Sequence, residues 1–432
     1  MKMKLKYLIL SVMLFGVCAT VFPQADNEKV LRLTLKEAQD YAMQHNRIVW
    51  NAGLSVSEAQ KRTWEVISAG LPQVSANISY QNMMGFKMEF AGMSIPLEPT
   101  SNFQATVTQL LFNASYWVGI RMSKIGEQMT ETARLQAELD VKQQTQTAYH
   151  AILIAEENKK ILEQNLENVQ RLAKSSEDMV RIGIAEQTDA DRLKIQVMTM
   201  VNGITMVERH IMLAYTLLRF QLGVDADFNI ELTQTLDDLM AAKDVYGIQY
   251  MNFDLNNNYN VQLLDGQIDL AGKQISLEKA AALPTVAAFY SYTYKIKKST
   301  FDMSPNNVIG LQANIPLFAS GQRHVRTQQA KINLEKAQNS RDLVTDQLLI
   351  HEKQLRFNLK SAIESFELQK EAIDVSQRVF ESVSRKYQQG MASSLDVTIA
   401  SSELLQAQTN YINAMMQVFT AQTELEKLLN RF

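Results

Sequence analysis

Two segments without glycine or proline set the scale of this fold. Neither residue occurs between Gly126 and Gly183, a gap of 56 residues, or between Gly321 and Gly390, a gap of 68 residues. At about 1.5 Å rise per residue, the two gaps predict helices roughly 85–100 Å long. Helices of that length do not fit inside an ordinary globular domain, where helices average about 10–14 residues.

Apolar residues in both gaps recur at intervals of three and four positions. Examples are Leu162, Leu166, Val169 and Ala173 in the first gap, and Leu359, Ile363, Phe366, Ile373, Phe380, Val383 and Tyr387 in the second. Such a narrow apolar seam indicates helices that pack on their neighbours as in a coiled coil. By periodicity alone, a periplasmic coiled-coil scaffold without a pore satisfies this pattern.

Four segments with strict alternation indicate β-strands as well. They lie at about 73–90, 102–112, 285–298 and 307–318, where apolar residues such as Val74 and Ile78 alternate with small polar ones. A period of two with one apolar and one polar face is typical of a strand between two environments. The loops between the members of each pair are rich in Pro, Ser and Asn, so the strands are predicted to form two hairpins. A soluble half-buried sheet also satisfies this alternation.

The N-terminal residues predict an export signal. Three lysines among the first six residues precede an apolar run that is too short for a comfortable membrane helix. We expect a signal peptide over 1–25, cleaved near Ala25, with Ala19 as the alternative site. The only cysteine, Cys18, lies inside this segment, so we expect no disulfide in the mature chain. A lipoprotein signal would instead attach a lipid to Cys18.

The two halves of the chain share one order of elements. Matching pairs are Pro72 and Pro284, 212 residues apart, Phe112 and Phe318, 206 apart, and Gly183 and Gly390, 207 apart. Each half is predicted as helix, strand, loop, strand, long helix, turn and helix. The first repeat covers 26–222, the second covers 255–432, and an equatorial linker, 223–254, joins them. A repeat this long indicates duplication of a domain-sized unit.

A membrane-spanning form of this chain requires several copies. Four strands cannot close a barrel, and an open sheet edge in lipid leaves backbone N–H and C=O groups unpaired. Two, three or four chains would supply about eight, twelve or sixteen strands, and the physical argument permits all three.

The order of these features resembles the TolC family of outer-membrane efflux proteins, over roughly 33–429. The most specific residues are "RKYQQGMASSLDV" at 385–397, "LLQAQTNYINA" after it, and the two "LP" strand entries. The resemblance implies a mixed α/β membrane protein with an internal two-fold repeat. It implies a homotrimeric 12-stranded β-barrel, four strands per chain, continued by a long α-helical barrel. The implied location is the outer membrane of a Gram-negative bacterium, extending into the periplasm.

The resemblance also implies a function and partners. The chain would be the exit duct of a tripartite efflux or type I secretion system and would conduct substrates passively. Its partners would be a periplasmic adaptor (membrane fusion) protein, an inner-membrane pump of the proton-driven RND or the ATP-driven ABC type, and outer-membrane lipid. The sequence identifies neither the substrate nor the pump class.

Site residues follow from the same resemblance. The implied adaptor-docking tip consists of Gly183, Ile184, Thr188, Gly390, Met391, Ser394 and Leu395. The implied channel constriction consists of Asp189, Asp396 and Tyr387. A ring of carboxylates from several chains would favour cations and raise its own pKa values by repulsion. Ala392 and Ile399 stand where the best-known family member has an arginine and a second ring aspartate, so the bonds of its closed gate do not transfer.

The turns have a structural explanation of their own. Gly183 and Gly390 are expected to end long helices in the left-handed conformation. Thr188 or Asp189, and Ser394 or Asp396, are then expected to cap the returning helices.

Charge and motifs argue against two other classes of function. The formal charge of −3 and a pI near 6.1 show no basic excess, so we expect no nucleic-acid partner. The five histidines have no metal-ligand spacing, and no phosphate loop or nucleophile motif occurs. "DADFN" at 225–229 imitates a calcium loop, but Ile230 and Leu236 replace its glycine and glutamate. We therefore expect no enzyme activity, no cofactor and no metal site.

Overall fold

A computed structural model describes residues 30–90, 92–96, 98–242, 247–298 and 304–432. The predicted signal peptide, 1–25, and Cys18 lie outside these residues. The elements are β1 (Val30–Leu33), α1 (Leu35–His45), α2 (Arg47–Ser68), β2 (Gln73–Gln81), β3 (Lys87–Phe90), β4 (Met93–Pro96), β5 (Thr100–Asn113), α3 (Ala114–Arg181), α4 (Gln187–Leu222), β6 (Asn229–Leu232), α5 (Leu236–Ala242), α6 (Tyr259–Ala280), β7 (Thr285–Lys297), β8 (Asn307–Asn314), α7 (Gln322–Gln388) and α8 (Ser394–Leu428).

The two long helices are present as predicted. Helix α3 has 68 residues and α7 has 67, which at about 1.5 Å per residue makes each about 100 Å long. Helix α3 packs on α4 and α7 packs on α8, so the chain contains two long helical hairpins. Helix α8 also contacts α3 and α4, and it thereby joins the hairpins to each other. No helix in the described part of the chain combines the length and apolar character needed to cross a bilayer.

The predicted strands form one antiparallel sheet in the order β2-β5-β7-β8. Its register aligns apolar residues across all four strands. Val74 lies opposite Val107, Val107 opposite Tyr290, and Tyr290 opposite Ile309. Since side chains alternate between faces, every second row is likewise directed to this face. The outer side chains Val74 and Ile309 are 75% and 83% exposed.

The opposite face of the sheet is polar. Gln104 Nε2 donates a hydrogen bond to Ser291 Oγ at 2.8 Å, and the hydroxyls of Thr106 and Ser291 lie 3.2 Å apart. Strands β2 and β8 each pair with a single neighbour among the described residues. The sheet therefore has one apolar face, one polar face and two edges whose backbone groups are free to pair.

Sequence reasoning misjudged several element boundaries. The predicted strand over 73–90 is divided, because a turn with Met84 and Gly85 at positive φ reverses the chain and β3 pairs with β4 instead. Strand β8 ends at Asn314, and the segment that follows contains Pro316, which has no N–H to donate. The first helix is broken at Asn46, whose side chain caps α2. Strands β1 and β6, which pair in parallel, were not predicted.

Buried apolar residues form two separate clusters. The larger one lies where α1, β1 and β6 meet the middle of the long helices, and Tyr149 at its centre donates a hydrogen bond to Leu33 O at 3.1 Å. Burial raises the pKa of Tyr149 to about 12. The smaller one, the tip cluster, lies near the far ends of the hairpins and consists of Val169, Leu172, Leu193, Met200, Phe380, Tyr387, Val397, Ala400 and Leu404.

Buried polar pairs connect the two hairpins between these clusters. The Asn165 side chain on α3 donates to Gln408 Oε1 on α8, and Gln408 Nε2 donates back to Asn165 Oδ1 at 3.5 Å. Gln196 Nε2 on α4 donates to Ser401 Oγ on α8 at 3.4 Å. All four residues are buried, so each amide relies on its partner in place of water.

We expect Gln408→Leu to destabilise the protein more than the double change Asn165→Leu/Gln408→Leu. The single change leaves the Asn165 amide buried without its partner, which costs about 1–3 kcal/mol, whereas the double change removes both polar groups. Thermal unfolding of the detergent-extracted protein measures the difference. A single variant as stable as the unaltered protein would show that water already satisfies Asn165.

Candidate functional site

The predicted site residues lie at the far ends of the two hairpins, at the turns where α3 meets α4 and α7 meets α8. At the first turn Gly183 has φ +77°. Its N–H donates to Val180 O at 3.0 Å, and the N–H of Ile184 donates to Met179 O at 2.9 Å. These two bonds define a Schellman motif, which satisfies carbonyl groups that the end of α3 leaves free.

The second turn repeats this geometry. Gly390 has φ +73°, its N–H donates to Tyr387 O at 2.9 Å, and the N–H of Met391 donates to Lys386 O at 2.8 Å. The prediction that both glycines adopt the left-handed conformation is confirmed. A Cβ atom added at either glycine would meet nothing within 4 Å, so backbone conformation and not space selects glycine here.

Helix α8 begins with a capping box. Ser393 Oγ accepts a hydrogen bond from Asp396 N at 3.2 Å, and Ser393 N donates to Asp396 Oδ2 at 2.9 Å. The serine hydroxyl also donates to Asp396 Oδ2 at 2.8 Å. The expectation that Ser394 caps this helix is wrong: Ser393 is the cap, and Asp396 is its partner three residues on.

Helix α4 begins in a similar way with different residues. Its N-cap is Glu186, whose backbone N–H donates to Asp189 Oδ2 at 3.4 Å. Thr188 Oγ1 donates to Glu186 Oε2 at 3.2 Å, so Thr188 supports the turn without capping the helix. The expectation of a cap at Thr188 is therefore wrong, because the helix starts earlier, at Gln187.

One hydrogen bond joins the two turns. Ser394 Oγ donates to Asp189 Oδ1, and Ser394 is only 1% exposed. This bond ties the first turn of α8 to the first turn of α4. Sequence reasoning missed it, since the equal Gly-to-Asp spacing matched Asp189 with Asp396. An offset of 205 residues relates this pair and the Gln196–Ser401 pair, and this common offset places α4 and α8 side by side.

Tyr387, assigned by sequence to the constriction, lies inside the tip cluster. It is 4% exposed and packs with apolar residues of that cluster such as Phe380 and Val397. Its hydroxyl is buried, and no hydrogen-bond partner for it occurs among the described residues. Its role in a constriction stays a prediction.

Apolar side chains cover the outside of the tip. Ile184 and Met391, each directly after its glycine, are 72% and 66% exposed, and Leu395 is 48% exposed. Three of the predicted docking residues thus present an apolar surface at the end of the molecule, beside the exposed Gly183 and Gly390.

The electrostatics of Asp396 differ from the sequence expectation. In the single chain, hydrogen bonds from the Ser393 backbone and hydroxyl lower the pKa of Asp396 below its ordinary value. Repulsion between carboxylates was expected to raise that pKa, but the capping bonds favour the charged form. Among the described residues, no group of three or more His, Cys, Asp or Glu side chains is arranged to hold a metal ion.

We expect Ser393→Ala and Ser394→Ala to loosen different parts of the tip. Loss of the Ser393 cap frays α8 alone, at a cost of about 1 kcal/mol. Loss of the Ser394 hydroxyl also releases Asp189, so amide hydrogen exchange accelerates at both turns. Exchange measured by mass spectrometry over 183–190 and 390–398 separates the two variants. Ser402→Ala, at an exposed mid-helix position, is the control, and equal exchange in all three variants would contradict the bridge.

We expect the first turn of α8 to lose protection only in acid. Because the folded pKa of Asp396 lies below the ordinary 3.8, its carboxylate stabilises the folded turn above that value, and the stabilisation is lost as pH falls through the lowered pKa. Protection, corrected for the intrinsic exchange rate, should stay constant from about pH 7 to 5 and fall below about pH 4. Ser393→Ala should move this loss to higher pH. A loss beginning near neutral pH would contradict the assignment to Asp396.

Comparison with known proteins places this geometry in a family. Residues 254–431 match the family model described as outer membrane efflux protein. The outer membrane efflux protein BepC of Brucella suis biovar 1 (strain 1330) is 25% identical over 156 residues, which are 36% of this chain and 34% of BepC. The match thus spans about a third of the length of this curated relative.

Solved structures share the fold over most of the chain. The outer membrane protein VceC of Vibrio cholerae superposes with a TM-score of 0.75 at 16% identity, covering 91% of this chain and 95% of VceC. The open state of the MtrE outer membrane channel of Neisseria gonorrhoeae gives a TM-score of 0.74 at 15% identity, covering 91% of this chain and 88% of MtrE. The fold is therefore that of outer-membrane channels, mixed α/β and mostly helical.

These matches confirm the resemblance found in the sequence and the expected outer-membrane location in a Gram-negative bacterium. The family and the fold are those of transport channels. With its C-terminal part matching the family model and its fold shared over nine-tenths of its length, the chain belongs to the TolC family of outer-membrane efflux proteins.

Proposed function

We propose that the chain is the outer-membrane exit duct of a tripartite efflux or type I secretion system. It passively conducts substrates from an inner-membrane pump and a periplasmic adaptor to the outside. The observation that carries this proposal is a two-faced sheet that continues directly into helices about 100 Å long. Strand β5 ends at Asn113 and α3 begins at Ala114, so a path lined by the polar face of the sheet continues into the helical part.

The sheet supports a trimeric β-barrel. Its apolar face suits lipid, and its polar face, with Gln104, Thr106 and Ser291, suits a water-filled lumen. The free edges of β2 and β8 need partners, because unpaired backbone groups are costly in hydrocarbon. Three copies that pair β8 of one chain with β2 of the next close a barrel of twelve strands.

The long helices support the same assembly. Leu343, Ile350 and Phe357 follow one another at intervals of seven residues on α7 and are 59%, 67% and 70% exposed. On α4, Ile195 and Phe220 are among the large apolar residues that are likewise exposed. Apolar stripes of this kind in a single chain need a partner helix. In the trimer, the neighbouring chains cover them and the six hairpins form an α-helical barrel across the periplasm.

The tip is the adaptor-docking end of the duct. Exposed Ile184, Met391 and Leu395 supply the apolar contacts for the hairpins of a periplasmic adaptor, beside Gly183, Gly390, Thr188 and Ser394. Asp189, Asp396 and Tyr387 form the constriction once three chains assemble. The chain consumes no energy and performs no catalysis in this mechanism, since an inner-membrane pump of the RND or ABC type supplies the force.

The two halves of the chain are proposed to be structural repeats. Residues 26–222 and 255–432 each run from a shorter helix through two strands of the main sheet into a long helical hairpin. The linker, 223–254, contributes β6 and α5 to the waist of the duct. Duplication accounts for an even division of strands and hairpins between the halves.

Fractionation and sizing test the proposed duct. Membranes from cells expressing the full chain are separated, and the detergent-extracted protein is lightly cross-linked and sized. We expect an outer-membrane species at about three times the mass of the mature chain, which conducts ions in planar bilayers. A soluble periplasmic monomer or dimer would overturn the duct and favour the coiled-coil scaffold without a pore.

We expect Ile350→Glu to weaken the trimer. The change puts a charge into the apolar stripe of α7, and burying an unpaired carboxylate between chains is costly. The cross-linked trimer fraction should fall several-fold. Gln354→Glu is the matched control, since it introduces the same charge at an exposed position of α7 outside the stripe. Equal loss of trimer in both variants would argue that the stripe is not an interface.

A further inference from the structure

Exposed apolar side chains surround the level at which the strands give way to the long helices. Trp117 in the first turn of α3 is 60% exposed, and Leu317 and Phe318, between β8 and α7, are 88% and 86% exposed. The strand register puts these segments at one level, because Asn113 at the end of β5 pairs with Thr285, and Thr285 pairs with Asn314 at the end of β8.

Both helices that start at this level are rich in cations and lack anions. No aspartate or glutamate occurs from Thr100 to Gly126 or from Ser304 to Leu334. Four exposed basic residues lie on these parts of α3 and α7, namely Arg121, Lys124, Arg326 and Lys331. In the part of the chain that the structure describes, none of the four forms an ion pair. Helices α2 and α6 also reach this level, but Glu65 and Glu278 lie near their ends.

Helix geometry directs these cations toward the apolar ring. They lie 4–10 residues from the first residue of their helix, which is about 6–15 Å along the axis. Side chains on a helix lean toward its N-terminus, and Lys and Arg extend their charged ends while their stems lie along apolar surface. The N-termini of α3 and α7 add partial positive charge at the same level. The cations therefore lie on the helical side of the ring, within about one Debye length of it.

We propose that this belt, formed by Trp117, Leu317 and Phe318 with Arg121, Lys124, Arg326 and Lys331, binds anionic phospholipids of the periplasm-facing leaflet. The proposal rests on the proposed function, since it needs the sheet to lie in the outer membrane. The apolar ring contacts the upper acyl chains, and the cations contact the phosphate groups of the lipid heads. Polybasic segments next to a membrane attract anionic headgroups in this way, and interfacial tryptophan is typical of such a boundary.

Lipid retention tests the belt. The full chain, purified in detergent, is incubated with equal amounts of phosphatidylglycerol and phosphatidylcholine, freed of unbound lipid by gel filtration, and analysed by mass spectrometry. We expect phosphatidylglycerol to be retained on the order of tenfold over phosphatidylcholine. The variant Arg121→Gln/Lys124→Gln/Arg326→Gln/Lys331→Gln should retain the two lipids nearly equally.

A matched variant controls for total charge. Arg171→Gln/Lys174→Gln/Lys370→Gln/Arg378→Gln removes two arginines and two lysines from exposed positions of the same two helices, far from the sheet. It should keep the preference for phosphatidylglycerol. Millimolar inorganic phosphate at constant ionic strength should leave the preference unchanged, since the belt binds a lipid and not the free ion.

The outcomes separate this inference from the proposed function. A trimer in the outer membrane that shows no preference for phosphatidylglycerol, or an equal loss in both variants, would overturn the belt alone. If a neighbouring chain covers the ring, the unaltered protein retains no anionic lipid and the belt variant forms less trimer, which also overturns the proposal. Failure to recover the chain from the outer membrane would contradict the duct itself.

Discussion

The pairing of β5 with β7 determines how the two halves of this chain meet. Its register brings the end of β5 level with the start of β7, and β8 ends at the same level. Helices α3 and α7 therefore start close to a common level, and they have nearly equal lengths of 68 and 67 residues. Their far ends also arrive together, which allows Ser394 to reach Asp189. A contact at one end of the molecule thus depends on hydrogen bonds about 100 Å away.

The large features of the fold were predictable from local chemistry. The absence of glycine and proline between Gly126 and Gly183 permits one uninterrupted helix, and the left-handed glycine at its end follows from the free carbonyl groups there. The main strands were visible because their two faces meet different environments. Strands β1 and β6 have only four residues each and pair across 199 positions of sequence, so no local period identifies them.

The details of the tip depend on distances that sequence does not contain. Which serine caps α8 is decided by a shift of one residue in the helix start, from Ser394 to Ser393. The bond from Ser394 to Asp189 requires α4 and α8 to lie side by side at a given offset. The lowered pKa of Asp396 follows from the bonds of Ser393 and not from its charge environment. Residue types at the tip were predictable, whereas their partners were not.

The buried amide pairs between the hairpins restrict how the length of this molecule can change. An insertion of one residue in α3 rotates everything beyond it by about 100° and shifts it by about 1.5 Å, which separates Asn165 from Gln408. Only additions that keep the same face toward α8, in steps of about seven residues, preserve that pairing. A matching step is needed in α4, α7 and α8, or the turns no longer meet. The span of the hairpins can therefore grow or shrink only in blocks of about 10 Å, made in four helices together.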